Sequence, residues 1–172
     1  MRPMDGFLGF GSNLGDRSAA IEAGLRRLAD RGVRILAVSA LYETEPVGCL
    51  EPDLFLNRVA RVLFEGGPEE LLMVTQEVER AAGRERPRRN APRLLDIDLL
   101  LFPGHESRDL PPILPHPRMW GRRFVLVPLA ELAPDLRNPD SGRTVAEELE
   151  RLLEGEVRPY NPGLRAQERS GL

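Results

Sequence analysis

The apolar and polar positions over residues 55–64 divide between the two sides of a strand. Phe55, Asn57, Val59, Arg61 and Leu63 fall on one side, and Leu56, Arg58, Ala60, Val62 and Phe64 on the other. A period of two predicts a strand. A second such run covers 94–102, where Asp96 and Asp98 alternate with Leu95, Ile97 and Leu99. Residues 6–10 are short, apolar and glycine-punctuated, a buried strand ending at the GSNLG of 11–15. Residues 33–44 are rich in apolar side chains and predict a further strand, antiparallel to 55–64. Elsewhere the period changes to that of a helix. Ala20, Ile21, Leu25 and Leu28 predict one over 16–30, with Asp16 at its amino end and Gly32 as its stop. Pro68 follows a Gly66-Gly67 turn at the first position of a second helix, which runs to about Ala82 before Gly83.

The order β-α-β-β-α-β predicts an α+β, ferredoxin-like sandwich. Residues 45–53 (EPVGCLEPD) are a predicted loop. Beyond the fourth strand come a proline-rich crossing over 110–117, an apolar stretch over 124–132 and a short helix over 144–153. Residues after Gly155 read as frayed. The expectation is one domain over 1–158 with C-terminal additions and a flexible tail over 159–172.

Composition narrows the chemistry. The 172 residues are 41% apolar and 30% charged, with a net charge of −3, so no global basic field attracts nucleic acid. All 24 basic residues are arginine, which removes Schiff-base lysine chemistry and the P-loop lysine. A single cysteine, Cys49, leaves no intramolecular disulfide and no cysteine-rich zinc site. The N-terminus lacks a signal-peptide pattern and no apolar run suits a membrane span, so a cytoplasmic protein is expected.

The sharpest feature is the pair Asp96 and Asp98. On a strand they share one face, about 6.6 Å apart along the chain. Two carboxylates side by side in so apolar a segment repel each other and are costly to desolvate, and a divalent cation relieves both. Hard oxygen ligands select magnesium, which completes its shell with waters and substrate phosphates. A solvated strand end is the competing interpretation. Immediately upstream, residues 84–93 hold five arginines, Arg84, Arg86, Arg88, Arg89 and Arg93. Guanidinium forks suit phosphate oxygens, and the juxtaposition suits a metal–polyphosphate complex. Gln76 and Glu79 share a helix face leading into that segment. His116, between two prolines and near Arg118, Arg122 and Arg123, is a candidate phosphate ligand or proton carrier. Asn57 offers a donor and an acceptor to a flat heterocycle, with Phe55 nearby to stack on it.

Taken together these strings resemble the 6-hydroxymethyl-7,8-dihydropterin pyrophosphokinase family. The matching pieces are GSNLG at 11–15, LYETEPVG at 41–48, FLN at 55–57 and QEVERAAGRER at 76–86. NAPRLLDIDLLLF at 90–102 and LPHPRMWGRRFVLVPL at 114–129 complete the set. The resemblance implies transfer of the terminal diphosphate of ATP to the pterin hydroxymethyl group, a step of folate biosynthesis that releases AMP. It implies two magnesium ions on Asp96 and Asp98, and Arg84 and Arg93 as catalytic arginines. It further implies an ATP site of Leu72, Gln76, Glu79, Arg84, Arg93, Leu99, His116 and Arg122. The implied pterin pocket is Gly11, Thr44, Val47, Phe55, Asn57 and Phe124, with the two phenyl rings sandwiching the bicycle. Departures from the family pattern fall at Glu45, Asn90-Ala91, Pro117 and Trp120-Gly121. The expected partners are these small molecules alone, with neither nucleic acid nor membrane, on a monomer or at most a weak dimer without a fused folate enzyme. An RNA-binding sandwich is the alternative class, disfavoured by an aromatic content of 5%. A non-catalytic polyphosphate-binding domain is the third.

Overall fold

The computed structural model describes residues 2–45, 54–83 and 94–162. Within them β1 (Met4–Ser12) and β4 (Phe55–Phe64) form the central antiparallel pair, with Gly9 opposite Val59 and Gly11 opposite Asn57. β5 (Asp96–Leu101) adds to the far side of β1, and β3 (Tyr42–Thr44) to the far side of β4. The sheet order is β5-β1-β4-β3-β6, with β6 formed by Val157–Pro159, and β2 (Arg34–Val38) also pairs with β4. All of these pairings are antiparallel.

Alternation on these strands divides two cores. Leu8, Phe10, Leu56, Ala60, Ile97 and Leu99 pack against α1 (Arg17–Asp30) and α2 (Pro68–Ala81). Phe7, Val59 and Leu100 pack against α3 (Arg123–Leu132) and α4 (Val145–Arg151). Asp16 caps α1 as expected, its Oδ1 accepting the Ala19 N–H at 3.0 Å. Gly24 lets α1 pack closely on Leu95, the residue before β5, since a Cβ there would lie 2.7 Å from Leu95 Cδ2. Pro68 opens α2, and Glu69 and Glu70 in its first turn complement the helix dipole. No helix among the described residues is long and apolar enough to cross a membrane.

Two expectations need correction, and one stretch left without an element gains one. The strand predicted over 33–44 is two strands, β2 and β3, broken at residues 39–41. The Ala40 N–H turns away from β4 to the Glu131 carboxylate, at 3.0 and 3.2 Å, while Ser39 Oγ accepts the Val59 N–H at 3.0 Å. Glu131 also accepts from Tyr42 Oη at 2.8 Å; burial and this carboxylate push the phenol up to about 12. The apolar stretch 124–132 is the helix α3, which carries Pro128 internally. Finally, the chain after Gly155 is not frayed throughout. Val157–Pro159 form β6 beside β3, and the Tyr160 N–H donates to Leu41 O at 2.9 Å. Backbone pairing thus continues past residue 158.

Candidate active site

Asp96 and Asp98 are the first and third residues of β5, on the α3 side of the sheet with Leu100, while Ile97 and Leu99 enter the opposite core. Asp96 stands opposite Gly11, and Gly11 opposite Asn57; Asp98 stands opposite Gly9, and Gly9 opposite Val59. With strands about 4.8 Å apart, the backbones of Asp96 and Asn57 lie about 10 Å from each other. Between them β1 carries no side chain at Gly9 or Gly11. A Cβ on Gly11 would lie 3.5 Å from Asn57 Oδ1 and narrow this floor.

The strand that carries the aspartates is held from behind. Glu79 of α2 is only 3% exposed, and its Oε1 accepts the Ile97 N–H at 2.8 Å. The resemblance implies that Glu79 lines the nucleotide site; in the structure its buried carboxylate holds the backbone between the two aspartates. Gln76, one turn earlier, is exposed. Leu72 is half-buried against the same core as the buried Leu99, so both lie on the far side of β5 from the carboxylates.

His116 reaches the site through the backbone. Its N–H donates to Leu100 O at 2.7 Å, and its Nδ1 accepts the Arg118 N–H at 3.2 Å. An accepting Nδ1 places the neutral ring's proton on Nε2, a donor available to an anionic ligand. Burial holds the imidazole below its ordinary pKa; Arg122 and Arg118 add to this, and Asp96 opposes it. Burial and Arg118 likewise lower Arg122, against the opposing pull of Asp98 and Asp96. These couplings join His116, Arg118, Arg122 and both aspartates in one electrostatic neighbourhood. Arg122 also stacks over the Phe124 ring, its Cζ 5.4 Å from the centroid.

The lowered histidine has a pH consequence. An unfolded histidine titrates near about pH 6.5. As pH falls through that value the unfolded chain takes up a proton that the folded site resists, and stability is lost. His116→Gln is expected to flatten this acid-side slope in melting temperatures measured from pH 7 to pH 5. Identical slopes for the two proteins would contradict the neutral, buried assignment.

On the other side of the floor, the buried Asn57 donates from Nδ2 to Thr44 Oγ1 at 2.7 Å. Phe55 stands opposite Thr44. A cavity of about 770 Å³ opens beside them, lined by Thr44, Glu45, Arg118, Arg122, Phe124 and Val157 among others. Among the described residues, no three His, Cys, Asp or Glu side chains form a cluster that could hold a metal ion by themselves. Two half-buried carboxylates on one strand face suit a cation that draws its remaining ligands from water and phosphate. Val47, Arg84 and Arg93 lie outside the described residues, as do Cys49 and the other arginines of 84–93.

A family model described as 7,8-dihydro-6-hydroxymethylpterin-pyrophosphokinase matches residues 7–134. The chain belongs to this family. A 2-amino-4-hydroxy-6-hydroxymethyldihydropteridine pyrophosphokinase of Methylorubrum extorquens is 44% identical over 147 residues, 85% of this chain and 92% of that one. Another from Pseudomonas aeruginosa is also 44% identical, over 82% of this chain and 87% of its own length. A crystal structure of Plasmodium falciparum HPPK-DHPS superposes with a TM-score of 0.68 at 15% identity. The match covers 87% of this chain and 45% of that longer one, a likeness of fold.

The cavity wall includes groups that sequence reasoning did not assign. Arg118 and Arg123 stood out only as neighbours of His116, and Val157 was placed in a frayed end. Arg123, despite its position, is committed to the scaffold: its Nη1 donates to Leu152 O at 2.7 Å.

Proposed function

We propose that the pyrophosphate transfer for which this family is named takes place over the Asp96–Gly11–Asn57 floor, with phosphates at the aspartate end and pterin at the asparagine end. The chain is a pyrophosphokinase of folate biosynthesis, a transferase that uses ATP, generally with Mg²⁺, and a pterin co-substrate. The single observation that carries the residue-level proposal is the cross-strand register that sets Asp96 opposite Gly11 and Gly11 opposite Asn57.

Asp96 and Asp98 fit two Mg²⁺ ions, each completed by phosphate and water. Mg²⁺ held by Asp96 and Asp98 would offset charge on the phosphate oxygens and would polarise the attacking hydroxyl. The protein's own part is electrostatic and positional. Arg122, with its charge fixed, faces the anion, and His116 Nε2–H donates to it. Preorganised donors of this kind act on charge as it develops at a transferring phosphoryl group, so the site needs no covalent nucleophile. Arg84 and Arg93 supply further guanidinium groups in this proposal, and Gln76, Glu79, Leu72 and Leu99 flank or support the nucleotide. At the other end Asn57 binds the pterin edge through a donor and an acceptor, with Thr44, Val47 and Gly11 around it. Phe55 and Phe124 cover the ring faces. The strand order with β2 and β3 taken as one interrupted strand is fourth-first-third-second, which supports a ferredoxin-like core extended by α3, α4 and β6.

Mixing the protein with ATP, Mg²⁺ and the reduced pterin tests the reaction. AMP release is the expected product; ADP, or neither, would overturn it. Asn57→Ala leaves pterin edge groups unpaired and is expected to weaken pterin binding by about 1–3 kcal/mol. Fluorescence titration of the pterin checks this, and unchanged affinity would move the pocket elsewhere.

A further inference from the structure

Arg17, the first residue of α1, joins three segments that are distant in sequence. Its Nη1 donates to Leu54 O at 2.6 Å, and its Nη2 to Glu43 Oε2 at 2.8 Å. Its Cζ lies 5.6 Å from the centroid of the Tyr160 ring. The pair is well shielded, with Arg17 and Glu43 side chains 13% and 15% exposed. Leu54 immediately precedes Phe55, Glu43 immediately precedes Thr44, and Tyr160 follows β6, where Val157 stands opposite Thr44. Because side chains alternate across a strand, Glu43 points away from the face that carries Thr44.

One guanidinium therefore grips, from behind, the end of β3 and the start of β4, which present Thr44 and Phe55, together with the C-terminal segment that completes the wall. Arginine suits this task, since its planar fork makes two directed bonds while its face stacks on a ring. We infer that Arg17 is a positioning residue for the pterin end of the site, and that Val157–Tyr160 belong to that end as its outer wall. The inference rests on the assignment of pterin to the Thr44–Asn57 end. It predicts selectivity: among the described residues Arg17 makes no hydrogen bond, ion pair or ring contact at the aspartate end, so the nucleotide should not register its loss.

The test is steady-state AMP release with pterin and MgATP varied separately, on wild type, Arg17→Met, Arg17→Lys and Tyr160→Leu. Arg17→Met is expected to raise the pterin KM about tenfold, leaving kcat and the ATP KM within about twofold, the mark of lost ground-state positioning. Arg17→Lys restores the ion pair but not the fork, and should fall between Arg17→Met and wild type. Tyr160→Leu should shift the pterin KM in the same direction by about threefold. A merely structural role would lower the active fraction, reducing kcat with both KM values unchanged, and would overturn the inference. An equal rise in both KM values, or unaltered kinetics, would overturn it too. Wild type that makes AMP beside an unaffected Arg17→Met sinks the positioning role alone. Wild type that makes no AMP sinks the functional assignment and this role with it.

Discussion

Replacing Asp96 or Asp98 by asparagine is expected to lower turnover by about three powers of ten, on the scale of removing a preorganised group that meets developing charge. Asparagine keeps the size and one acceptor oxygen of aspartate, so the strand and its partners Gly11 and Gly9 should stay in place. What is lost is one unit of negative charge in a neighbourhood that already holds Arg118, Arg122 and His116. Single-turnover AMP formation, with circular dichroism to show a retained fold, measures the effect. Turnover within tenfold of wild type in both variants would remove the phosphate end from β5.

Glu79→Ala is the second large expectation. The mutation strips the acceptor from the Ile97 N–H in a buried position, at a cost of about 1–3 kcal/mol of stability for the orphaned donor. Because that N–H lies between Asp96 and Asp98, their spacing loosens with it, and turnover should fall more than the folded fraction does. Glu79→Gln retains an acceptor for Ile97 and should recover most of both losses. Denaturant melts alongside kcat separate the two effects. A Gln variant as impaired as the Ala variant would show that Glu79 acts through its charge and not through the strand.

Local chemistry made much of this legible. Strand-like runs over 55–64 and 94–102 marked β4 and β5, and a period of two placed Asp96 and Asp98 on one face. Asp16, Gly32, Pro68 and Gly83 bounded the two central helices because caps and breakers act within a turn. What stayed hidden was non-local or lacked a period. α3 is apolar around much of its surface and contains Pro128, so no amphipathic stripe announced it. β6 is three residues long, ends in proline and is a strand only because β3 offers its edge. The break at residues 39–41 depends on Glu131, about ninety positions downstream. At the site, spacing showed that Gln76 and Glu79 share a helix face, but only packing shows one exposed and the other buried under Ile97. Arg17 gave no signal at all, since its partners at 43, 54 and 160 meet only in the folded chain.

The account stands on charge: two carboxylates on one strand face collect a cation that arrives with the nucleotide's phosphates, beside arginines that receive the anion. Isothermal calorimetry of a non-hydrolysable ATP analogue with Mg²⁺, on wild type and on the double variant Asp96→Asn/Asp98→Asn, tests this most directly. The account predicts metal-dependent binding to wild type and its near-complete loss in the double variant, with metal-free nucleotide binding the two equally weakly. Equal metal-dependent affinity in both proteins would contradict it.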